Sequence, residues 1–373
     1  MIIGLDASRA ARSYRTGTEI YSLELIKAMA RLSGPRRCFR LYTSQPPQAT
    51  DWPESSFVET RVIPWPRLWT HVRLAAELKR HPPNVLFVPA HVLPIYCPVP
   101  AVVTVHDLGY VHYPETHRAA DRWYLDWTTR RHTRVASHLV ADSLATRNDL
   151  VERYGADARR ITVVYLGWDR NLSSVKDPVQ HHQLKARYNI KGEYLLYLGT
   201  LHPRKNLVRL VDAYHQAIAS LNPATQVPQL VIAGQKGWLY DEIYARVQAL
   251  ALEDQIIFTG YVSEEVKPVL LSGALAYLYP SLYEGFGLPV LEAMACGTPV
   301  LTSTASSLPE VAGEAAVLVD PQRPADIARG IIALISDADL REKLIEQGYR
   351  QIRKFSWDRA ATQILELLEA MAR

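Results

Sequence analysis

Cysteine is scarce in this chain of 373 residues, which contains only Cys38, Cys97 and Cys296. The three are far apart and form no C-x-x-C pair, so the sequence predicts neither a disulfide framework nor a zinc site. A reducing, cytoplasmic compartment is the default expectation. No stretch of 18 consecutive apolar residues occurs, and Met1 leads straight into an apolar strand. We therefore expect no membrane-spanning helix and no signal peptide.

Motifs for binding dinucleotides or nucleic acids are also missing. No G-x-G-x-x-G follows the first predicted strand, and no RNA- or DNA-binding motif accompanies the net charge of +4. The charge is uneven, because residues 1–170 hold 23 Lys+Arg against 16 Asp+Glu (+7) and residues 171–373 hold 19 against 22 (−3). The basic half suits an anionic membrane or a phosphorylated acceptor, or it is an ordinary solvated surface. Nucleic acid is not a predicted partner.

Short apolar runs alternate with segments of helical periodicity along the chain, of which 48% is hydrophobic. The first such pair is the apolar run Ile2–Ala7 and a helix predicted over Glu19–Leu32. This alternation predicts an α/β protein with Rossmann-like domains. The length suffices for two domains, and the polar stretch Asn171–His182 is the predicted linker.

The strongest functional pattern lies after an apolar strand in the second half. Gly285 and Gly287 flank Phe286 in a loop that can turn sharply, and a short helix begins at Leu288-Pro289. The free N–H groups and the positive dipole end of that helix favour an anion such as a phosphate.

Two carboxylates flank this loop. Glu284 precedes the predicted phosphate site, and Glu292 lies one turn into the helix after it. Such a pair can accept hydrogen bonds from hydroxyls on either side, for instance those of a sugar and a ribose. A tight strand-to-helix turn with two surface carboxylates is the alternative interpretation.

A second charged loop stands before the helix predicted over Leu207–Ala219. Arg204 and Lys205 are adjacent there, although cations oppose the dipole at the start of a helix. An anionic ligand would relieve that conflict, and a planar Arg fork with a compact Lys charge suits a diphosphate. A solvated basic turn is the alternative.

In the first half, the buried strand Ala101–Val105 ends at His106-Asp107. Ligand sites in α/β proteins lie at the carboxyl ends of such strands, although a core histidine with satisfied hydrogen bonds is the alternative. Asp107 is expected to orient either His106 or the following loop.

A long helix predicted over His117–Ser137 mixes aromatic and basic residues. We expect Leu125, Trp127 and Val135 to pack in the core. The alternative is a surface that faces an acceptor or a membrane.

The string from Glu284 to Val300 closely resembles the E-x7-E signature of the retaining glycosyltransferases of family 4. These enzymes have the GT-B fold, in which two Rossmann-like domains face an interdomain cleft. The resemblance implies an acceptor-binding domain over residues 1–170 and a nucleotide-sugar-binding domain over residues 171–355. Residues 356–373 would form a C-terminal helix that crosses back to the first domain.

The resemblance also implies roles for single residues. Glu284 would face the donor sugar, Glu292 would bind the ribose, and His106 would contact the sugar from the first domain. Arg204 and Lys205 would bind the diphosphate. The other implied donor-binding residues are Gly17, Gly199, Thr200, Tyr261, Val262, Gly285, Phe286, Gly287 and Leu288. Thr200 departs from the family, in which many members carry Arg at this position.

The resulting expectation is a retaining hexosyltransferase of polysaccharide biosynthesis, with GDP-mannose as the first candidate donor. The UDP-linked forms of glucose, galactose and N-acetylglucosamine are the alternative donors. His106, Glu284, Arg204 and Lys205 are the expected catalytic residues. A sugar-nucleotide epimerase, a phosphorylase and a non-catalytic nucleotide-sugar-binding subunit are less favoured alternatives.

The expected partners are the nucleotide sugar, a glycan or lipid-linked saccharide acceptor, and a peripheral contact at the inner face of the plasma membrane. The acceptor would depend on loops of the first domain such as Ser8–Thr18. No cofactor and no metal are expected, since Asp337-Ala338-Asp339 lies between two helical patterns, where Asp339 is the predicted cap.

Overall fold

The computed structural model describes residues 1–12, 17–48, 52–65, 67–90, 92–222, 225–237 and 239–372. The chain divides into two compact units. Unit 1 comprises Met1–Gly167 and Phe355–Arg373, and unit 2 comprises Trp168–Lys354.

Unit 1 is built on a parallel sheet of seven strands in the order β3-β2-β1-β4-β5-β6-β7. Its strands are β1 (Ile2–Asp6), β2 (Cys38–Thr43), β3 (Val58–Val62), β4 (Val85–Val88), β5 (Ala101–Val105), β6 (His138–Ala141) and β7 (Ile161–Val163). Its first helices are α1 (Gly17–Arg31), α2 (Ala75–Arg80), α3 (Gly109–His112), α4 (Ala119–Val135) and α5 (Leu144–Tyr154). Every residue of β4, β5 and β6 is buried, as expected for central parallel strands that helices cover on both faces.

Unit 2 repeats the design with six parallel strands in the order β10-β9-β8-β11-β12-β13. The strands are β8 (Tyr194–Leu198), β9 (Gln229–Ala233), β10 (Ile256–Gly260), β11 (Ala276–Tyr279), β12 (Val300–Ser303) and β13 (Ala316–Val319). The helices are α6 (Pro178–Tyr188), α7 (Leu207–Ser220), α8 (Asp241–Ala249), α9 (Lys267–Ser272), α10 (Leu288–Ala295), α11 (Leu308–Ala312), α12 (Pro324–Ser336) and α13 (Ala338–Gln351). Both sheets follow the doubly wound order, which confirms the predicted α/β class with two Rossmann-like domains.

The last helix, α14 (Trp357–Met371), belongs to unit 1 and packs on α1. The start of α14 packs closely against Gly167, the last residue of the first segment of unit 1. A Cβ on Gly167 would lie 2.2 Å from the backbone nitrogen of Trp357, so only glycine fits there. The chain therefore returns to unit 1 at a position that tolerates no larger residue.

Two local predictions are wrong for identifiable reasons. The predicted linker 171–182 is too long, because Asp177 accepts a hydrogen bond from the Val179 N–H at 2.9 Å and α6 begins at Pro178. In the D-x-D sequence the cap is Asp337 and not Asp339, since Asp337 Oδ1 accepts from the Leu340 N–H at 2.8 Å. Among the described helices, none is both long and apolar enough to cross a bilayer.

Candidate functional site

The topology of unit 2 points to one edge of its sheet. The chain winds outwards in opposite directions from β8 and β11, which are neighbours, and ligands of doubly wound folds bind beyond the carboxyl ends of such strands. The two loops that leave this point run from Gly199 to Asn206 and from Pro280 to Gly287. They contain most of the residues predicted to hold the donor.

Three hydrogen bonds to backbone carbonyls join these two loops. The Leu282 N–H donates to the Arg204 carbonyl at 2.9 Å, and Arg204 Nη1 donates to the Tyr283 carbonyl at 2.8 Å. The buried Asn206 amide donates to the Pro280 carbonyl at 3.0 Å. Asn206 adopts a left-handed backbone conformation, which Asn tolerates better than most residues. The charged side chains of the two loops are thus held at fixed positions.

The predicted sugar-facing carboxylate lies directly beside the predicted diphosphate-binding cations. Lys205 Nζ is 2.7 Å from Glu284 Oε1, and Arg204 Nη1 is 3.6 Å from Glu284 Oε2. Burial raises the pKa of the Glu284 carboxyl, but Lys205 and Arg204 outweigh this effect and hold the pKa below its ordinary value. Two cations and one carboxylate leave this cluster with an excess positive charge, which suits an anionic ligand.

A stack of buried tyrosines lies beneath the cluster. Tyr279 donates its hydroxyl to Glu284 Oε1 at 3.0 Å and is also a hydrogen-bond partner of Lys205. Its ring stacks on Tyr277 and Tyr197 with centroid separations of 5.8 and 6.1 Å. These rings form a rigid, apolar floor that keeps the Lys205–Glu284 pair away from bulk water, which strengthens the interaction between their charges.

The loop before α10 is anchored from the next loop in the sheet. The Glu284 N–H donates to Ser306 Oγ at 2.8 Å, and Ser307 Oγ donates to the carbonyls of Glu284 and Phe286 at 2.9 and 2.6 Å. Gly287 then precedes the helix with a φ of +116°, a conformation that favours glycine. The anchored loop presents the start of α10 (Leu288–Ala295), as predicted from the sequence.

The other predicted donor-binding residues of unit 2 lie within these two loops or directly after β10. Tyr261 follows β10 and is 62% exposed, whereas the neighbouring Val262 is buried. Thr200 is exposed, and Phe286 is buried and serves as an anchor of its loop. A Cβ on Gly234 would lie 1.9 Å from the Gly199 carbonyl oxygen, so the backbones after β8 and β9 pack too closely for any side chain at residue 234.

In unit 1, His106 has a partner that was not predicted. The register pairs Val105 with Ala141, so His106 and Asp142 leave neighbouring strands at the same level. His106 Nδ1 lies 2.6 Å from Asp142 Oδ2, and Nε2 lies 2.8 Å from the Pro89 carbonyl oxygen. Asp107 instead accepts a hydrogen bond from the Gly109 N–H at 2.9 Å. Of the two roles expected for Asp107, this contact corresponds to orienting the following loop.

The two partners determine the protonation state of His106. The Pro89 carbonyl can only accept, so Nε2 carries a proton, and an ionised Asp142 accepts from a proton on Nδ1. Burial lowers the pKa of the imidazole and raises that of the Asp142 carboxyl, but the adjacent carboxylate more than compensates on His106 and raises the imidazole pKa above its ordinary value. The contacts and this direction of shift favour an imidazolium–carboxylate pair.

We expect Asp142→Asn to destabilise the protein by about 3–5 kcal/mol, the usual cost of removing one partner of a buried ion pair. Because the folded-state pKa of His106 is raised, the pair stabilises fully below the unfolded value of about 6.5, and this contribution is lost as the pH rises through the folded-state pKa. Urea unfolding of wild type and variant between pH 5.5 and 9 measures the difference, which should shrink as the pH rises.

The matched control for this variant is Asp149→Asn, which breaks the more exposed His112–Asp149 pair at 2.9 Å. We expect it to cost about 1 kcal/mol or less. A loss in Asp142→Asn that stays constant over the whole pH range would show that the pair is not ionic.

Gly17, the remaining predicted residue, is the first residue of α1 and is exposed. One turn further along α1, the Tyr21 ring packs edge-on against His106 with centroids 4.7 Å apart. In the preceding loop, Arg9 pairs with the buried Glu19 at 3.1 Å. Residues 13–16 of the predicted acceptor loop Ser8–Thr18 lie outside the described residues.

Helix α4 differs from the expected core helix. Trp127 and Val135 are 38% and 52% exposed, and only Leu125 packs against the core. Trp123 is 68% exposed and stacks on Trp127 with an interplanar angle of 11°. The helix instead buries Thr128, Thr129 and His132, so its buried face is polar and a pattern of apolar residues does not mark it.

Two family models match the chain and together cover most of it. The model "Glycosyltransferase Family 4" matches residues 15–172, and the model "Glycosyl transferases group 1" matches residues 181–351. An O-antigen chain mannosyltransferase B of Escherichia coli is 32% identical over 266 residues, which cover 71% of this chain and 69% of that protein.

Solved structures share the fold across the full chain. A sucrose-phosphate synthase from Thermosynechococcus elongatus superposes with a TM-score of 0.76 at 22% identity, covering 99% of this chain and 98% of the other. HepE of Anabaena in complex with UDP and glucose gives a TM-score of 0.74 at 21% identity and covers 99% of both chains. These comparisons identify the fold as GT-B, as predicted.

Proposed function

The chain belongs to the glycosyltransferases of group 1 and family 4, and from this premise we propose that it transfers mannose from GDP-mannose to a hydroxyl of a glycan or lipid-linked saccharide. That it is a hexosyltransferase using a nucleotide-sugar donor follows from its family. The finer proposal rests on the Arg204–Lys205–Glu284 cluster beside the start of α10. The similarity to an O-antigen mannosyltransferase supports the choice of sugar.

The proposed chemistry depends on charge. As the glycosidic bond breaks, negative charge grows on the leaving diphosphate, and Arg204, Lys205, the Leu288 N–H and the positive end of the α10 dipole would stabilise it. Glu284 would accept a hydrogen bond from a hydroxyl of the donor sugar, with its orientation fixed by Lys205 and Tyr279. The anomeric configuration would be retained, as the resemblance to family 4 implies.

His106 would act as a fixed cation in this scheme. Its Nε2–H already donates to the Pro89 carbonyl, so contact with the donor sugar requires that this proton be shared or that the bond to Pro89 be replaced. Asp142 keeps the ring protonated in either case, because its carboxylate remains on Nδ1.

A panel of nucleotide sugars tests the proposed function. We expect GDP-mannose to raise the Tm and to release GDP when a glycan acceptor is present, with UDP-glucose and UDP-N-acetylglucosamine clearly weaker. If only a UDP-sugar supported activity, that UDP-sugar and not GDP-mannose would be the donor. Isomerisation of the donor without any acceptor would indicate an epimerase, and binding without turnover would indicate a non-catalytic subunit.

In the proposed mechanism, Arg204, Lys205 and the start of α10 balance the negative charge of the diphosphate. No metal ion or cofactor takes part in this mechanism. Removal of divalent cations with EDTA is therefore expected to leave the rate of nucleotide release unchanged within about twofold. A rate that falls with EDTA and returns with added Mg²⁺ would contradict this part of the proposal.

We further propose that the protein works in the cytoplasm as a peripheral protein at an anionic membrane surface. The exposed Trp123–Trp127 stack carries the proposal, since aromatic rings with basic neighbours favour the interface of a bilayer. Arg131 donates to the Ile95 carbonyl at 2.7 Å and so ties the loop of Ile95, itself 60% exposed, to α4. Arg122 is exposed on the same helix.

The double variant Trp123→Ser/Trp127→Ser is expected to bind vesicles containing phosphatidylglycerol at least about tenfold more weakly, which corresponds to roughly 1.4 kcal/mol of lost burial. Co-sedimentation with vesicles at two salt concentrations provides the measurement. Val179→Ser, at an exposed apolar residue of unit 2, is the matched control and should bind like wild type. Equal binding by all three proteins would exclude the stack as a membrane contact.

A further inference from the structure

The carboxylate predicted to bind the ribose has a lysine as its partner. Lys267 Nζ, on the first residue of α9, lies 2.7 Å from Glu292 Oε1 on α10. Both side chains are largely buried, with exposures of 12% and 16%. Lys267 also approaches Glu264 at 3.4 Å, but that side chain is 74% exposed. The short, buried contact with Glu292 is therefore the main interaction of this lysine.

The pair is fixed in place by the packing of α9 and α10, and its lysine is held in the charged form. The Thr298 hydroxyl donates to the Leu271 carbonyl at 2.8 Å, which ties the end of α9 to the turn after α10. Burial lowers the pKa of Lys267, but Glu292 and Glu264 outweigh this effect and raise the pKa. The lysine thus stays protonated within a largely buried site.

Only one oxygen of Glu292 is engaged by this contact. Throughout the part of the chain that the structure describes, Lys267 is the sole hydrogen-bond donor to this carboxylate, and it contacts Oε1. The second oxygen, Oε2, keeps its capacity to accept hydrogen bonds. A carboxylate fixed in this way is a better oriented acceptor for a neutral hydroxyl than a mobile one, because less conformational freedom is lost when the ligand binds.

We infer that Lys267 is the positioning residue of the nucleotide site, which orients Glu292 so that Oε2 accepts hydrogen bonds from the ribose hydroxyls of the donor. This inference rests on the proposed function, in which Glu292 binds the ribose. Lys267 itself would act through Glu292 and would not take part in the transfer of the sugar.

Paired nucleotides that differ only in the ribose test the inference. The dissociation constants of GDP and 2′,3′-dideoxy-GDP, and of UDP and 2′,3′-dideoxy-UDP, are measured by calorimetry on the full chain. A hydrogen bond to a charged group corresponds to roughly 10-fold or more in affinity, so wild type should prefer the ribonucleotide by at least about that factor. In Lys267→Met this preference should fall to about twofold or less, because the affinity for the ribonucleotide alone decreases.

Three further variants separate orientation from other effects. Lys267→Arg should keep the preference for the ribonucleotide over the dideoxynucleotide, because it keeps a cation beside Glu292. Glu292→Gln should lose this preference. The double variant Lys267→Met/Glu292→Gln should show no further loss. Glu264→Gln is the matched control, since it removes the other carboxylate beside Lys267, and it should keep the wild-type preference within twofold. The Tm without nucleotide identifies any variant that fails to fold.

The outcomes distinguish this inference from the proposed function. Equal weakening of both nucleotides in Lys267→Met would mean that Lys267 acts on the phosphates or through the fold, and the inference would be wrong. A wild type that binds nucleotides without regard to the ribose hydroxyls would leave the proposed function intact and refute the inference. A wild type that binds neither GDP nor UDP would overturn both.

Discussion

Replacement of Lys205 by methionine is expected to lower kcat/KM for sugar transfer by about 100- to 1000-fold, the range found when one preorganised donor to a developing negative charge is removed. Lys205 is 2.7 Å from Glu284 and lies over the Tyr279 ring, so its ammonium group has a defined position at the switch point of the sheet. Steady-state kinetics with saturating acceptor measure the loss. Lys191→Met, at an exposed lysine of the same unit, is the matched control and should retain wild-type activity.

This variant also leaves a buried carboxylate without its main partner. We expect Lys205→Met to lose up to about 3–5 kcal/mol of stability, because the Glu284 carboxylate then keeps the neutral Tyr279 hydroxyl and, as a cation, the more distant Arg204 at 3.6 Å. The double variant Lys205→Met/Glu284→Gln removes both charges, so it should regain most of the stability but none of the activity. If activity returned together with stability, Lys205 would have a structural role and no role at the diphosphate.

The second large effect is expected for Glu284→Gln, which should lower kcat by about 10- to 150-fold through the loss of a charged hydrogen-bond acceptor for the donor sugar. The same change leaves Arg204 and Lys205 without their shared carboxylate, so GDP should bind at least as tightly as it binds wild type. Titration with GDP and turnover measurements on the same preparation test whether kcat falls while the affinity for GDP does not.

The control for this prediction is Glu314→Gln, an exposed carboxylate of unit 2, which should change neither quantity. A parallel decrease in GDP affinity and kcat in Glu284→Gln would contradict the assignment. It would indicate that Glu284 supports the nucleotide pocket as a whole and does not act on the sugar.

Much of this site could be predicted because its determinants are local in the sequence. Gly287, Leu288 and Pro289 specify the turn and the start of α10 through their own backbone preferences. The adjacent cations Arg204 and Lys205 were recognisable because they oppose the helix dipole. The parallel α/β architecture followed in the same way from alternating strand and helix periodicity.

The partners across the sheet could not be predicted, because strand order and register are properties of the tertiary structure. Asp142 meets His106 only because β5 and β6 are neighbours with Val105 opposite Ala141. A partial signal existed, since Asp142 directly follows an apolar strand, as His106 does. For Lys267 no comparable signal exists, because its contact with Glu292 depends on how α9 and α10 pack.

The exposed tryptophans show a different limit of sequence reasoning. An aromatic residue in a predicted helix is usually assigned to the core, yet Trp123 and Trp127 face outwards while Thr128 and Thr129 are buried. Tyr277 and Tyr279, by contrast, are two residues apart in the strand β11, so their side chains lie on the same face of the sheet. This spacing is visible in the sequence and predicts that their rings can stack.

A crystal structure of the protein with bound GDP would show which groups hold the nucleotide. We expect the diphosphate to lie within hydrogen-bonding distance of Arg204, Lys205 and the start of α10, and the ribose hydroxyls to contact Glu292. A nucleotide bound elsewhere, or one whose diphosphate contacts neither Arg204 nor Lys205, would contradict this expectation.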